Sequence, residues 1–227
     1  MLKIYFLRHG KTLLNENEQV QGWNDSELTD LGKFQAKCAG FGAKDILFNK
    51  AYCGDLGRQI ATAKLFLNEN NNITELIEDS DFREMCYGKY QFGPYKDMLG
   101  PLFEMYGAEY AGYEALYKYM DDVQIGAEVA KRDETNQTEG PIKVWERFSK
   151  GLHRIVSENK DGNILLSTSS FAIAVVLQNL FPDFIQGGLV DNCSLTVLSY
   201  KDGKYKLEDF NNINYRSIGE QHYKKDF

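Results

Sequence analysis

Positions 3–7 form a run of β-branched, aromatic and apolar residues that ends directly in Arg8-His9-Gly10. A histidine at a strand end beside a glycine has the exposure and backbone room to act as a nucleophile. It does so when one ring nitrogen is unprotonated and the other is held by a hydrogen bond, most simply to backbone. Arg8 next to it, and Arg58 further along, each carry a planar fork of N–H donors that can grip two oxygens of a tetrahedral anion, which a lysine cannot do. Asn15 adds a neutral donor. The chemistry open to such a set is phosphoryl transfer, which needs a nucleophile, donors for the non-bridging oxygens and an acid for the leaving oxygen. Plainer readings exist for each residue. Arg58 falls in the first turn of an expected helix and can be a solvated charge, and Glu84 can pair with Arg83 on the surface. Lys11 reads as a rim charge, while His153, off the apolar stripe of its helix, and His222, in a polar tail, read as solvated. No two histidines stand at metal-ligand spacing, so neither a metal nor another cofactor is expected.

These residues need elements to position them, and the chain supplies an alternating series. Residues 3–7 read as a strand. Thr29 and Asp30 supply an N-cap and an acidic first turn to a helix in which Leu31, Phe34, Cys38 and Phe41 recur at helical spacing, with Gly40 and Gly42 where it should end. Residues 51–53 read as a short strand, 56–67 as a helix, and 81–85 as another strand end. From about 87 to 140 the character changes to many tyrosines, several glycines and Asp121-Asp122, which reads as an insertion with helical pieces that can form a lid. Its tyrosines are expected chiefly as packing and lid surface. Pro141 opens a helix with an apolar stripe of Val144, Phe148, Leu152 and Ile155. Residues 163–167 form a buried strand and 171–180 an apolar helix. Strands around 194–200 and 204–210 are joined by the hairpin turn Lys201-Asp202-Gly203. The alternation implies an α/β fold: a three-layer α/β/α sandwich on a mostly parallel sheet with one antiparallel edge, plus the inserted helical lid, within one domain over residues 1–227.

Composition bounds the partners. The chain has 227 residues, 43% of them hydrophobic, enough to fill a real core. A formal net charge of -7 and a pI near 5.1 argue against nucleic acid or an anionic membrane surface as the main partner. An anionic ligand would therefore need a local cluster of arginines. The apolar N-terminal run is too short for a signal peptide or a membrane span, which points to the cytoplasm. Four cysteines without a C-x-x-C pair read as reduced, mostly buried thiols.

Several motifs then occur in order. Leu7-Arg8-His9-Gly10-Lys11-Thr12, Asn15, Gln21-Gly22-Trp23, Leu28-Thr29-Asp30-Leu31-Gly32 and Gln35-Ala36 resemble the N-terminal signature of the histidine phosphatase superfamily, of the phosphoglycerate-mutase-like kind. Asp55-Leu56-Gly57-Arg58 with Thr62-Ala63 resembles its second arginine motif. Phe82-Arg83-Glu84 followed by Tyr87-Gly88-Lys89-Tyr90 resembles its acid motif, and residues 192–198 its late strand.

The resemblance implies a phosphohistidine at His9, Arg8, Arg58 and Asn15 as phosphate ligands, and Glu84 as proton donor to the leaving group, which requires a raised pKa. It also implies a second histidine after the late core strand. There the chain reads Ser167-Thr168-Ser169-Ser170-Phe171, with Ser169 in the histidine's place as an expected phosphate contact that brings no charge. Loss of one such donor costs on the order of 10² to 10³ in rate. Two function classes follow. One is a phosphatase acting on a small phosphorylated metabolite, with activity weakened by the missing charge. The other is an impaired relative that binds a phosphorylated ligand or protein through the same pocket. The insertion lacks the basic motifs expected of a mutase, and the chain leaves monomer and dimer equally open.

Overall fold

The computed structural model describes residues 1–71, 75–184 and 190–223. The sheet has six strands: β1 (Leu2–Arg8), β2 (Lys50–Cys53), β3 (Leu76–Glu78), β4 (Gly162–Thr168), β5 (Leu195–Lys201) and β6 (Lys204–Asn212). Their order is β3-β2-β4-β1-β5-β6. The first four are mutually parallel, while β5 runs antiparallel to β1 and β6 antiparallel to β5. The expected antiparallel edge is thus two strands wide: the Lys201-Asp202-Gly203 turn folds β6 back on β5, and β5 itself runs antiparallel to β1.

Side-chain alternation along β1 divides the core. Leu2, Ile4 and Phe6 face one layer, and Tyr5 and Leu7 the other. On the first face lie α4 (Tyr95–Glu104), α5 (Asp122–Lys131), α6 (Pro141–Glu158) and α7 (Ser170–Leu180). The opposite face is covered by α2 (Asp30–Gly42), α3 (Gly57–Glu69) and α8 (Asn214–Tyr223), and a single turn, α1 (Leu13–Glu16), lies near the site. The α6 stripe is buried at all four positions, at roughly 1.5–3 kcal/mol per large apolar side chain.

Three local expectations differ from the structure. In α2 the inward face is Gly32, Ala36, Cys38, Ala39 and Gly40, while Leu31 is exposed. A Cβ on Gly40 would lie 2.2 Å from the Phe66 carbonyl oxygen, and one on Gly42 1.8 Å from that of Tyr215. These glycines admit α3 and α8 to close contact, and close packing outweighs the pattern of large apolar residues. Residues 81–85 are not a strand end: β3 stops at Glu78 and a 3-10 turn covers Ser80–Phe82. The polar tail holding His222 is helix α8, with the exposed imidazole stacked on Phe41 at 3.9 Å between ring centroids.

Candidate active site

β1 and β4 end level with each other, Arg8 opposite Thr168, and β2 ends one residue earlier, Cys53 opposite Ser167. The loops that leave these three parallel strands at their C-terminal ends therefore open on one place, the usual position of a site in such a sheet. The backbone N–H of His9 donates to the Thr168 carbonyl at 3.0 Å, and Asn192 Nδ2 donates to the His9 carbonyl at 2.8 Å. Gly10 is pressed against the start of α2, where a Cβ would stand 2.6 Å from the Gly32 carbonyl oxygen. Its N–H donates to Thr62 Oγ1 on α3 at 2.9 Å. The turn carrying His9 is thus clamped from α2, α3 and β4.

The His9 imidazole is 4% exposed. Its Nδ1 lies 2.9 Å from the Gly10 carbonyl oxygen; a carbonyl only accepts, so Nδ1 carries the proton and Nε2 does not. Burial, then the charges of Arg58 and Arg8, hold the imidazole well below its ordinary range, against a smaller opposing effect of the Gly10 hydrogen bond.

Arg58 sits in the first turn of α3, yet it is 1% exposed. Its Nη2 donates to the Gly22 carbonyl at 2.7 Å, and Nη1 to the Asn24 carbonyl at 2.8 Å and Asp25 Oδ1 at 3.2 Å. Arg8 donates through Nη1 to the Val190 carbonyl. In both guanidinium groups Nε is buried with no hydrogen-bond partner. Burial lowers both pKa values, partly offset by carboxylates that include Glu84. Asn15 closes α1 in a capping box, its Oδ1 accepting from the Thr12 N–H at 3.3 Å, so its amide NH₂ is the group left for the pocket it lines.

Glu84 is not paired with Arg83, which forms a two-point ion pair with Asp55 at 2.5 Å. Buried instead, Glu84 accepts from the Met85 and Ala172 N–H groups through Oε1, at 2.8 and 3.1 Å, and from the Phe171 N–H through Oε2 at 3.1 Å. It thereby caps α7 from outside, since the N-cap residue Ser169 makes no side-chain cap bond. Burial raises the Glu84 pKa, opposed first by the Met85 N–H and then by the charge of Arg58.

Arg8, His9, Asn15, Arg58 and Glu84 all line one pocket. It is narrow, about 50 Å³, against the roughly 10–15 Å³ that one water needs. Ser169 does not line it. The Ser169 side chain is fully buried and its hydroxyl accepts from Gln59 Nε2 at 2.9 Å. The extended N-cap backbone turns it toward α3, and Ser170 takes the expected place in the wall, its hydroxyl buried without a partner.

Sequence reasoning also missed the direct contribution of the insertion, since Tyr87, Tyr95 and Tyr113 line the pocket. It missed Arg147 too, whose guanidinium donates to the carbonyls of Asp81, Arg83 and Glu84 at 2.7–2.9 Å and pairs with Glu139. The available signal was an arginine on α6 three residues past Val144 of the apolar stripe, a placement that any surface arginine can share. Lys11 pairs with Glu16 at 3.4 Å. His153 is exposed. Among the described residues no group of three or more histidines, cysteines or acidic residues could hold a metal ion, and no helix is long and apolar enough to cross a membrane.

The family model described as histidine phosphatase superfamily (branch 1) matches residues 4–213. The chain belongs to that superfamily. Among curated histidine-phosphatase relatives, phosphoglycerate mutase-like protein 4 of Arabidopsis thaliana is 26% identical over 94% of this chain and 86% of its own length. A crystal structure of phosphoglycerate mutase from Bacillus anthracis is 30% identical and superposes with a TM-score of 0.88 over 96% of both chains. The mycobacterial glucosyl-3-phosphoglycerate phosphatase, solved as complexes with VO3, shares the fold at a TM-score of 0.70 and 21% identity, covering 92% of this chain and 99% of that chain.

Proposed function

We propose that the protein is a phosphatase that hydrolyses a small phosphomonoester through a phosphohistidine at His9. The observation that carries this reading is the bare Nε2 of His9, fixed by the Nδ1 bond to Gly10, in a pocket shared with two arginines whose buried Nε groups lack partners. A phosphoryl group bound there supplies acceptors for both, and with Asn15 and the Ser170 hydroxyl it meets a donor set of the kind that stabilises charge on the transferring oxygens.

In the first step the Nε2 lone pair forms a bond to phosphorus and the ester P–O bond breaks. The departing oxygen takes the proton of a neutral Glu84. In the second step water attacks the phosphohistidine and gives its proton to the Glu84 carboxylate. The P–N bond breaks, its electron pair returns to Nε2, and inorganic phosphate leaves with Glu84 again protonated.

One feature favours a second reading, a catalytically impaired protein that binds a phosphorylated ligand. Ser169 stands where the superfamily's second histidine is expected and directs its hydroxyl at Gln59, while three backbone N–H groups engage the Glu84 carboxylate. Phosphate release from a panel of phosphorylated metabolites, assayed with wild type and His9→Ala, separates the two. Turnover that His9→Ala abolishes supports the phosphatase. Tight phosphate binding without turnover of any compound supports the binding protein.

A further inference from the structure

Apart from the phosphate-binding residues, Glu84, the neutral Gln21 and Gly22, the pocket wall is aromatic. Tyr87 and Phe171 meet edge to face at 6.4 Å between centroids, and Tyr95 and Tyr113 complete that side. Behind it the buried Asp122 carboxyl accepts from the Tyr113 hydroxyl at 3.0 Å and the Tyr117 hydroxyl at 2.8 Å. Arg8 and Arg58 are the only cationic side chains in the wall among the described residues, and both belong to the phosphate end.

The basic side chains that flank the site are already committed. Arg83 is paired with Asp55 at 2.5 Å, Lys89 with Glu134 at 2.7 Å and Arg147 with Glu139 at 2.8 Å. Lys96, next to Tyr95, lines a separate groove together with Asp97, Glu104 and Glu109. Positions 185–189 contain neither lysine nor arginine.

A second anionic group on the substrate would therefore lose its hydration among phenol rings, facing Glu84 and no cation, and such burial is unfavourable. An uncharged alcohol meets rings to pack on and hydroxyls to bond. Resting on the phosphomonoester reading above, we infer that this half of the pocket selects monophosphates whose alcohol portion carries no second negative charge. It discriminates against phosphorylated acids and bisphosphates.

Glycerol 3-phosphate and 3-phosphoglycerate test this directly, because they share a three-carbon skeleton and differ chiefly by a hydroxymethyl in place of a carboxylate. Benzyl phosphate probes the aromatic wall. The expected kcat/KM for glycerol 3-phosphate and for benzyl phosphate exceeds that for 3-phosphoglycerate by about 10-fold or more. The same preference is expected in affinity, with lower Kd for glycerol 3-phosphate and benzyl phosphate than for 3-phosphoglycerate, measured by calorimetry on the His9→Ala protein without turnover. Tyr95→Lys, which places an ammonium in the wall, should narrow the ratio. Equal or better use and binding of 3-phosphoglycerate overturns the inference. Absence of turnover with the binding order intact overturns the phosphatase reading alone and leaves the selectivity standing.

Discussion

The unprotonated Nε2 of His9 and the buried carboxyl of Glu84 set opposite pH limits. The His9 pKa is lowered, so between that depressed value and the ~6.5 of an unfolded histidine the unfolded chain binds the extra proton. Stability therefore falls as pH drops through this window and is unaffected by His9 above it. His9→Ala removes this slope, so denaturation midpoints at pH 5 and pH 7 should lie closer together in the variant than in wild type. Glu84 shifts the other way. If it protonates the leaving oxygen, Glu84→Gln should slow phosphohistidine formation, read as the single-turnover rate, by about 10² to 10⁴ with alkyl phosphates and much less with 4-nitrophenyl phosphate, whose phenolate departs without help. Equal losses on both would mean that Glu84 serves only to hold α7.

At the scale of elements, the Glu84 loop is held by Arg147 on α6, which ties three loop carbonyls and the half-buried Glu139 into one network. Arg147→Met keeps the side chain's bulk but removes the ion pair with Glu139 and the bonds to the loop carbonyls, a loss of about 3 kcal/mol. Thermal unfolding should show a fall in Tm of about 10 °C together with lost activity, although Arg147 does not line the pocket. What the sequence reveals divides along the same line. The strand ending in Arg8-His9, the capped helix behind Thr29 and the α6 stripe are legible because periodicity and capping are local signals. Local signals do not reach the Tyr95 and Tyr113 contributions to the pocket, the turn of Ser169 toward Gln59, or the grip of Arg147 on Glu84, all of which depend on how distant elements meet. Helix α8 escaped for a related reason: the docking of a polar helix is decided by its tertiary partners. In α8 only Gly219 is buried, where a Cβ would stand 2.1 Å from the Cys38 carbonyl oxygen.

For the whole molecule, a net charge of -7 repels anions in general, so phosphate should bind only where buried arginines overcome that field. At 100 times its Kd, phosphate stabilises by about 2.7 kcal/mol, a rise of roughly 5–10 °C in Tm for a chain of this size. Arg8→Gln should lose the shift. A shift that survives this change would place the anion elsewhere. If the phosphoryl group passes through His9, rapid quenching during turnover of a ³²P-labelled phosphomonoester traps it there. One label on the protein is expected, stable to alkali and labile to acid, mapping to His9 and absent from His9→Ala. Turnover that proceeds with no such label, or that continues in His9→Ala, would contradict passage through His9.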